Sequence, residues 1–298
     1  MLFSHFKNKF NKKYNVEEEA MRFKIFQSNL KKIQEHNAGD HSYQMGINQF
    51  TDLTNKEYQQ KYLSPIKMLV EPMPQENIQI FGGQFNWVDK GAVTPIKDQG
   101  DCGSCWCFST TGMIEGCTVA YGGSLISLSE QEIVDCDDGE KYGCGGGWPY
   151  QAMQWVTEVG GLCSEQDYPY VGVNQKCQNS SCQPVSTLDS HTQFTSETDM
   201  LNKLETVGPI SIAIDAAGNG FEYYTSGVYT GDDGCSQTLL NHAILIVGYN
   251  TDNKPPYWIV KNSFGTWWGQ QGYIWMEYGK NICGLATQAW YGSGCHNL

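Results

Sequence analysis

QGDCGSCWCF, residues 99–108, holds three of the chain's twelve cysteines, with a Gly-Ser pair between the first two. The pair interrupts regular structure, and the residues after it, to about Tyr121, are predicted to form a helix. Cys105 then lies at the N-terminus of that helix, where the helix dipole favours a thiolate. Most cysteines in such a chain are buried or form disulfides, so this placement alone makes Cys105 a candidate nucleophile but does not establish that role.

A nucleophilic cysteine needs a base within reach and a group that orients the base. His242 opens an apolar run at 243–248 that is predicted to be a buried strand. A second apolar run, at 257–261, ends at Asn262. If the two strands pair antiparallel, the start of the first lies beside the end of the second. We therefore expect His242 and Asn262 to be neighbours.

The composition excludes several classes of protein. With 40% apolar and 17% charged residues over 298 positions, the chain can bury a core and is not intrinsically disordered. It has no run of about 18 apolar residues, so we expect no membrane partner. Its net charge is −13 without any cluster of Lys or Arg, which argues against nucleic acid as a partner.

Charge and cysteine content divide the chain near residue 80. Residues 1–80 carry 11 Lys/Arg and 9 Asp/Glu and have no cysteine. Residues 81–298 carry 8 Lys/Arg and 23 Asp/Glu and hold all twelve cysteines. The stretch at 64–83 has three prolines, a Gly-Gly pair and no periodicity, which is typical of an extended linker. We therefore predict a helical N-terminal segment, 1–80, and a cysteine-rich body, 81–298.

Twelve cysteines in an acidic body favour an oxidising compartment, so we expect a lysosomal, vacuolar or secreted protein. The first residues are amphipathic and lack the apolar core of a secretory signal peptide. Either such a signal has been removed or the start of the sequence is incomplete, and we favour the first. Asn179 lies in the only Asn-x-Ser/Thr sequon and is a candidate glycosylation site.

The N-terminal segment is predicted to form two helices. Phe3, Phe6, Phe10 and Tyr14 recur at spacings of 3, 4 and 4, which is typical of one helix face. A second helix is predicted from about residue 16 to residue 37. One stripe of it carries six residues at spacings of three or four: Glu18, Arg22, Phe26, Asn29, Ile33 and Asn37. An ordinary two-helix hairpin would explain the spacing alone.

The identities of these residues resemble a known family. The six-residue stripe is similar to the ERFNIN signature in prosegments of papain-like cysteine proteases. That family's G-x-N-x-F-x-D motif is matched by Gly46, Asn48, Phe50 and Asp52. Residues 102–106 match the signature around the nucleophile of papain and the cathepsins, and residues 262–269 resemble the family's N-S-W-G-x-x-W-G block.

The resemblance covers essentially the whole chain and implies its fold and chemistry. It implies an α+β, papain-like two-lobed fold with an N-terminal helical prosegment that inhibits the enzyme. A helical lobe would carry Cys105, and a β-barrel-like lobe would carry His242 and Asn262. The prosegment tail would thread the cleft backwards. Cys105 would attack the peptide carbonyl, His242 would protonate the leaving amine and then activate water, and Asn262 would orient His242. Gln99 and the Cys105 N–H would stabilise the oxyanion.

The same resemblance implies the substrate-binding residues. Gly146 and Gly147 would leave the backbone free to pair with substrate, and Gln288 would form the floor of the pocket for the second residue before the scissile bond. The other candidates around the cleft are Gly103, Trp148, Pro149, Ala213, Leu240, Asn241, Ala243 and Trp268. The pocket should prefer a bulky apolar side chain, and Gln288 could also tolerate a polar one. Phe264 stands where the family has Trp, so we expect a smaller shield over His242.

Three disulfides are implied by the resemblance: Cys102–Cys144, Cys136–Cys177 and Cys235–Cys283. Five cysteines remain besides Cys105, and this odd number means that at least one is free or pairs between chains. We expect Cys107, beside the nucleophile on a core helix, to be free and buried. The others are expected to pair as Cys117–Cys163 and Cys182–Cys295.

The function expected is that of a cysteine endopeptidase made as an autoinhibited zymogen, with no metal and no organic cofactor. The expected partners are protein and peptide substrates, the chain's own prosegment and cystatin-type inhibitors, and we expect a monomer. A catalytically silent binding or storage homologue is one alternative, which the four filled active-site positions disfavour. An exopeptidase is another, but no blocking insertion is evident near the cleft motifs.

The charge difference between the two parts predicts release of the prosegment in acid. Its lysines are expected to meet carboxylates of the body, and Asp52 is expected to be ionised and hydrogen-bonded within the prosegment. Carboxylates held in this way have depressed pKa values, so their contribution to docking is lost as the pH falls through those values. Release is expected to begin at roughly pH 5.

Overall fold

The structure is a computed structural model that describes residues 2–64, 68–73, 82–137, 142–178 and 182–298. The candidate glycosylation site Asn179 lies outside the described residues, and so does the predicted boundary at residues 80 and 81. None of the helices in the described ranges is both long and apolar enough to cross a membrane.

Three helices form the N-terminal segment: α1 (Leu2–Lys9), α2 (Val16–Asn37) and α3 (Asn55–Tyr62). The bounds predicted for α2 are confirmed, and the helix begins after Asn15, whose side chain accepts a hydrogen bond from the first turn. The apolar spacing predicted a longer α1. Asn11 has a positive φ of 49°, so the chain turns there, and Phe10 and Tyr14 reach the apolar cluster of α1 and α2 from outside the helix.

The helical lobe is built around α4 (Cys105–Ala120), with α5 (Glu130–Cys136) and α6 (Pro149–Val159) packed beside it. Every residue of α4 from Cys105 to Thr118 is buried. Such a helix must lie at the centre of a lobe rather than on its surface. Its N-terminus, where Cys105 lies, is therefore fixed by packing on all sides.

The second lobe is a mostly antiparallel sheet with two helices, α7 (Glu197–Val207) and α8 (Asn219–Glu222). The strands within the described residues are β1 (Tyr43–Met45), β2 (Met68–Leu69), β3 (Gln84–Asn86), β4 (Ser186–Thr187), β5 (Ser190–Gln193), β6 (Ile210–Ile214), β7 (Tyr224–Tyr229), β8 (Leu239–Leu240), β9 (His242–Asn250), β10 (Tyr257–Lys261), β11 (Tyr273–Glu277), β12 (Gln288–Ser293) and β13 (His296–Asn297). The main sheet has the order β1-β7-β11-β10-β9-β6-β12-β5, and β3 also pairs with β9. Helices and sheet together confirm the α+β class.

The pairing of β9 with β10 brings the predicted base and its orienting residue to one edge of the sheet. The two strands are antiparallel, with Lys261 opposite Leu245. His242 is the first residue of β9, and Asn262 follows β10 directly. The strand pairing predicted from the two apolar runs is thus confirmed.

The twelve cysteines form five disulfides and leave Cys105 and Cys107 free and buried, as predicted for Cys107. Three bridges join the pairs implied by the resemblance, Cys102–Cys144, Cys136–Cys177 and Cys235–Cys283. The prediction for the other four cysteines is wrong, because the structure contains Cys117–Cys295 and Cys163–Cys182. The face of α4 that carries Cys117 packs on β12 and β13, next to Cys295, whereas Cys163 and Cys182 meet around Tyr168 in a separate cluster.

Candidate active site

Cys105 begins α4, and contacts on both sides hold it in place. Ser109, one turn later, donates a hydrogen bond to the carbonyl of Ile244 on β9 at 2.7 Å. The predicted cleft residue Gly103 donates its N–H to the carbonyl of Cys144 at 3.1 Å, beside the Cys102–Cys144 bridge. The candidate nucleophile therefore lies where the helical lobe meets the strand that begins at His242.

His242 and Asn262 are hydrogen-bonded, with 2.9 Å between Nε2 and Oδ1. The ring of Phe264 stacks on the imidazole at 4.8 Å and is buried, so it keeps water from this bond despite being smaller than an indole. Because Nε2 is engaged, Nδ1 is the ring nitrogen available to a reacting group. Nδ1 is buried and has no hydrogen-bond partner among the described residues.

Burial determines the protonation states of this pair in the docked form. It raises the pKa of Cys105 to about 11, against smaller opposing effects of backbone hydrogen bonds. It lowers the pKa of His242 to about 4, although the hydrogen bond with Asn262 opposes the shift. Desolvation disfavours the charged form of each group. In the docked form, burial therefore favours the thiol over the thiolate at Cys105 and the neutral imidazole over the imidazolium at His242.

Gln99 presents a hydrogen-bond donor to the cleft. Its Nε2 donates to the carbonyl of Cys102 at 2.9 Å and to the carbonyl of Tyr62, in the N-terminal segment, at 3.1 Å. Its Oε1 accepts from the hydroxyl of Ser263 at 2.7 Å, which fixes the orientation of the amide. The donor is thus already placed to bind a carbonyl oxygen, as stabilisation of an oxyanion requires.

An apolar pocket lies beside the nucleophile, where Trp148, Ala213 and Leu240 pack together. Met68 of the N-terminal segment packs into it, because β2 pairs antiparallel with β8 and places Met68 opposite Leu240. The residues that the resemblance assigned to this pocket are therefore brought together, and a flexible apolar side chain already occupies it.

Other predicted cleft residues surround this pocket. Ala243 and Gln288 both lie opposite Ala213 on neighbouring strands, and Pro149 follows Trp148 at the start of α6. Gln288 is half-buried, and its Oε1 accepts from the indole of Trp290 at 3.3 Å. A second residue of the N-terminal segment binds the cleft backbone: the N–H of Ser64 donates to the carbonyl of Asn241 at 2.7 Å.

The two cleft glycines have physical reasons for their identity, and Trp268 packs against the ring that shields His242. A Cβ on Gly147 would lie 2.7 Å from the indole of Trp106, and Gly146 has a positive φ of 95°. Trp268, predicted to bind substrate, is fully buried and lies behind Phe264 at 5.6 Å between ring centres. Trp268 therefore supports Phe264, and its contact with substrate stays a prediction.

The G-x-N-x-F-x-D residues dock the N-terminal segment onto the second lobe. Asn48 donates to the backbone of α8 at 2.7 Å, and Phe50 packs edge-on against Phe264 at 5.3 Å. A Cβ on Gly46 would lie 2.6 Å from Thr225, so the close approach requires glycine. The motif thus brings an aromatic ring of the N-terminal segment onto the residue that shields His242.

The six-residue stripe of α2 stabilises the N-terminal segment itself. Arg22 pairs with Glu57 at 2.9 Å and with Glu18 at 3.5 Å, and the Asn29 amide donates to two carbonyls of the loop at 51–53. Asp52, as predicted, is bonded within the segment, to Tyr14 and Lys12. The remaining members are placed on the same face or at its end: Phe26 and Ile33 are buried, and Asn37 donates to the carbonyl of Met45.

The predicted contacts between prosegment lysines and body carboxylates are mostly not formed. Within the described ranges, Lys61–Asp101 at 2.8 Å is the one such pair, and both side chains are exposed. Burial would raise the pKa of Asp101, but the hydrogen bonds with Lys61 and Tyr62 and the charges of Lys61 and Lys12 together lower it. Exposed pairs contribute little, so the charge difference between the two parts does not act through many ion pairs.

Several site residues escaped the sequence reasoning. Ser263, which orients Gln99, is the second residue of the block at 262–269, and this position was the available signal. Met68 and Tyr62 act through a pocket contact and a backbone carbonyl, neither of which has a sequence pattern. Glu222, a carboxylate buried beneath the N-terminal segment, lies in a helix of four residues that no periodicity predicts.

Two family models match the chain. Residues 82–293 match the family described as papain family cysteine protease. Residues 3–58 match the cathepsin propeptide inhibitor domain.

Curated relatives and solved structures match almost the whole chain. It is 41% identical over 96% of its length to probable cysteine protease RD21B of Arabidopsis thaliana, of which it spans 64%. It is 41% identical over 97% of its length to thiol protease aleurain of the same plant, of which it spans 83%. The structure of digestive procathepsin L 3 from the larval midgut of Tenebrio molitor superimposes with a TM-score of 0.84 at 36% identity, covering 98% of each chain.

Proposed function

The chain belongs to the papain family of cysteine proteases and carries a cathepsin-type propeptide inhibitor domain, and from this we propose that it is an autoinhibited endopeptidase zymogen acting through Cys105, His242 and Asn262. The observation that carries the proposal is the 2.9 Å bond between His242 and Asn262 beside a free cysteine at a helix N-terminus. Residues 1–80 are the prosegment and residues 81–298 the peptidase. We place the mature enzyme in a lysosome-like or vacuolar compartment or outside the cell.

The proposed reaction proceeds by acyl transfer. The Cys105 thiolate forms a bond to the peptide carbonyl carbon, and Gln99 with the Cys105 N–H stabilises the oxyanion. Protonated His242 gives its Nδ1 proton to the nitrogen of the leaving amine as the C–N bond breaks. Neutral His242 then takes a proton from water, which attacks the thioester and releases the acid. Asn262 holds the imidazole in one orientation throughout.

The prosegment inhibits by occupying two positions that a substrate would use. The carbonyl of Tyr62 accepts a hydrogen bond from the Gln99 amide, and Met68 packs in the apolar pocket. Burial in the docked form also favours the neutral forms of Cys105 and His242, since the pKa of the thiol is raised and that of the imidazole is lowered. Removal of the prosegment readmits water and allows the thiolate–imidazolium pair to form.

Substrate preference tests the proposal directly. After acid activation, the enzyme should cleave peptides that carry Met, Leu or Phe as the second residue before the scissile bond, because these side chains replace Met68 against Trp148, Ala213 and Leu240. A mixed peptide library, with cleavage sites read by mass spectrometry, measures this preference. Cleavage of single residues or dipeptides from the ends of substrates, without internal cuts, would contradict an endopeptidase.

Acid release of the prosegment is expected to begin at a histidine pair. The ring of His36 stacks on that of His41 at 3.9 Å, and its Nε2 lies 3.2 Å from the carbonyl of Tyr43. The Nδ1 of His41 lies 2.7 Å from a carboxylate oxygen of Asp232 in the peptidase. Burial and the neighbouring His41 lower the pKa of His36, against the Tyr43 carbonyl, Asp232 and Asp233. A proton on His36 would therefore place a positive charge in a partly buried stack, directly against the ring of His41.

The sign of the effect follows from this lowered pKa. Docking retains the neutral His36, so its contribution is complete above the free value of about 6.5 and declines as the pH falls below that value. We expect His36→Gln, which keeps a donor for the Tyr43 carbonyl but cannot titrate, to move the midpoint pH of activation downward. Activation rates of the full chain from pH 4 to 7 measure it. His5→Gln on α1, an exposed histidine, is the control, and an unchanged midpoint in His36→Gln would assign the proton to another group.

A further inference from the structure

The prosegment marks the two sides of the cleft by its own path. The Asn55 amide donates a hydrogen bond to Glu222 of α8, and the Tyr62 carbonyl accepts one from Gln99. Further along the chain, Met68 packs in the apolar pocket opposite Leu240. The pocket binds the acyl side of a substrate, and Gln99 binds the scissile carbonyl. Residues of the prosegment that precede Tyr62 therefore lie on the opposite side, where the leaving group of a substrate would be bound.

A carboxylate lies on this leaving-group side. Glu222 ends α8, and its side chain is fully buried under the prosegment. Its Oε2 accepts from the amide of Asn55 at 2.9 Å, and its backbone carbonyl accepts from the amide of Asn48 at 2.7 Å. Its Oε1 has no hydrogen-bond partner in the part of the chain that the structure describes.

The prosegment also supplies a positive charge near Glu222, from Lys32. Burial raises the pKa of Glu222 to about 7, and the Asn55 hydrogen bond and Lys32 are among the effects that oppose the shift. The Nζ of Lys32 lies 3.4 Å from Asn219 at the other end of α8. When the prosegment leaves, the amide donors and this cation leave with it, and the carboxylate faces the open cleft.

Glu222 is also close to the chemistry. The preceding ring, Phe221, lies 6.0 Å from the ring of His242 and 6.5 Å from that of Phe264. His242 donates its proton to the leaving amine, so the residue that carries this amine must pass beside α8. We propose that Glu222 is a specificity-determining residue of the mature enzyme that selects a basic side chain on the leaving-group side of the scissile bond.

This proposal rests on the proposed endopeptidase function, and paired substrates separate the two. Internally quenched peptides would share one acyl side and carry Lys, Leu or Glu directly after the scissile bond, and a coumarin amide of the same acyl side would report the chemistry without any leaving-group residue. For the acid-activated enzyme we expect kcat/KM for Lys to exceed that for Glu by at least about tenfold, as for a hydrogen-bonded charge pair. Glu222→Gln should remove most of the Lys-to-Leu advantage, and Glu222→Lys should favour the Glu peptide.

Glu158→Gln supplies a matched control, because Glu158 is exposed on α6 and bonds only to Gln154 among the described residues. Glu158→Gln should leave the kcat/KM ratios among the Lys, Leu and Glu peptides unchanged. If a Glu222 variant fails to fold or mature, the pH dependence of the wild-type ratio still decides, since the Lys-to-Leu advantage must fall as the carboxylate is protonated in acid. Equal cleavage of the Lys and Glu peptides at every pH tested would overturn the proposal but would remain consistent with an endopeptidase. No hydrolysis of any peptide or of the coumarin amide would instead reject the proposed function.

Discussion

Cys105→Ala is expected to reduce peptide hydrolysis by about 10⁴- to 10⁶-fold, the loss that follows removal of a catalytic nucleophile. Cys107→Ser is expected to retain most of the activity. Residues two apart on a helix point about 200° away from each other, so only one of these two free cysteines can face His242. Both side chains are buried, and exposure therefore does not distinguish them.

The measurement must separate loss of catalysis from loss of activation. Because Cys105→Ala cannot process itself, each variant should be matured with a trace of wild-type enzyme, which is then removed, and assayed at equal concentration. Retained thermal unfolding of the full chain shows that each variant is folded, and Cys107→Ala provides a second variant without a buried hydroxyl. Activity in Cys105→Ser together with silence in Cys107→Ser would reverse the assignment of the nucleophile.

Gln99→Ala is expected to lower kcat by about 10²- to 10³-fold, as observed when one oxyanion donor is removed. Its Nε2 already donates to a carbonyl of the prosegment at 3.1 Å, and Ser263 holds the amide in this orientation. KM should change much less, because the oxyanion develops only in the transition state. The same substitution removes one bond between the peptidase and the prosegment, so the separate prosegment should inhibit the matured variant less tightly than it inhibits the wild-type enzyme.

Steady-state kinetics of the matured enzyme on one peptide measures both parameters. Gln154→Ala on α6 is a suitable control, since this glutamine is exposed and bonds to Glu158. A loss of less than about threefold in kcat would show that the Cys105 N–H acts without Gln99. An equal change in KM and no change in kcat would instead assign Gln99 to substrate binding.

The local elements could be predicted because their signals are short-range. The stripe on α2 gave its bounds, and the two apolar runs gave β9 and β10 with His242 and Asn262 at one edge. α1 was predicted too long, since apolar spacing does not reveal a turn such as that at Asn11. In each correct case, the information lies within a few residues or in the alternation of one strand.

The contacts that join distant parts of the chain could not be predicted in this way. Four cysteines were paired wrongly because the choice of partner for Cys117 depends on which strands pack against α4. The expected ion pairs between the two parts are largely replaced by hydrogen bonds and aromatic packing around Phe264. Net charge does not specify which side chains meet.

The sequence by itself was enough to propose the nucleophile, its base and the inhibitory character of the N-terminal segment, because each proposal rests on residue identities at fixed local spacings. Only the tertiary structure decided that Met68 fills the pocket, that the Tyr62 carbonyl occupies the Gln99 donor, and that Glu222 meets Asn55 of the prosegment. These three facts join segments between 37 and 172 residues apart. Packing of the two lobes and the prosegment brings them together, and periodicity within one segment carries no information about it.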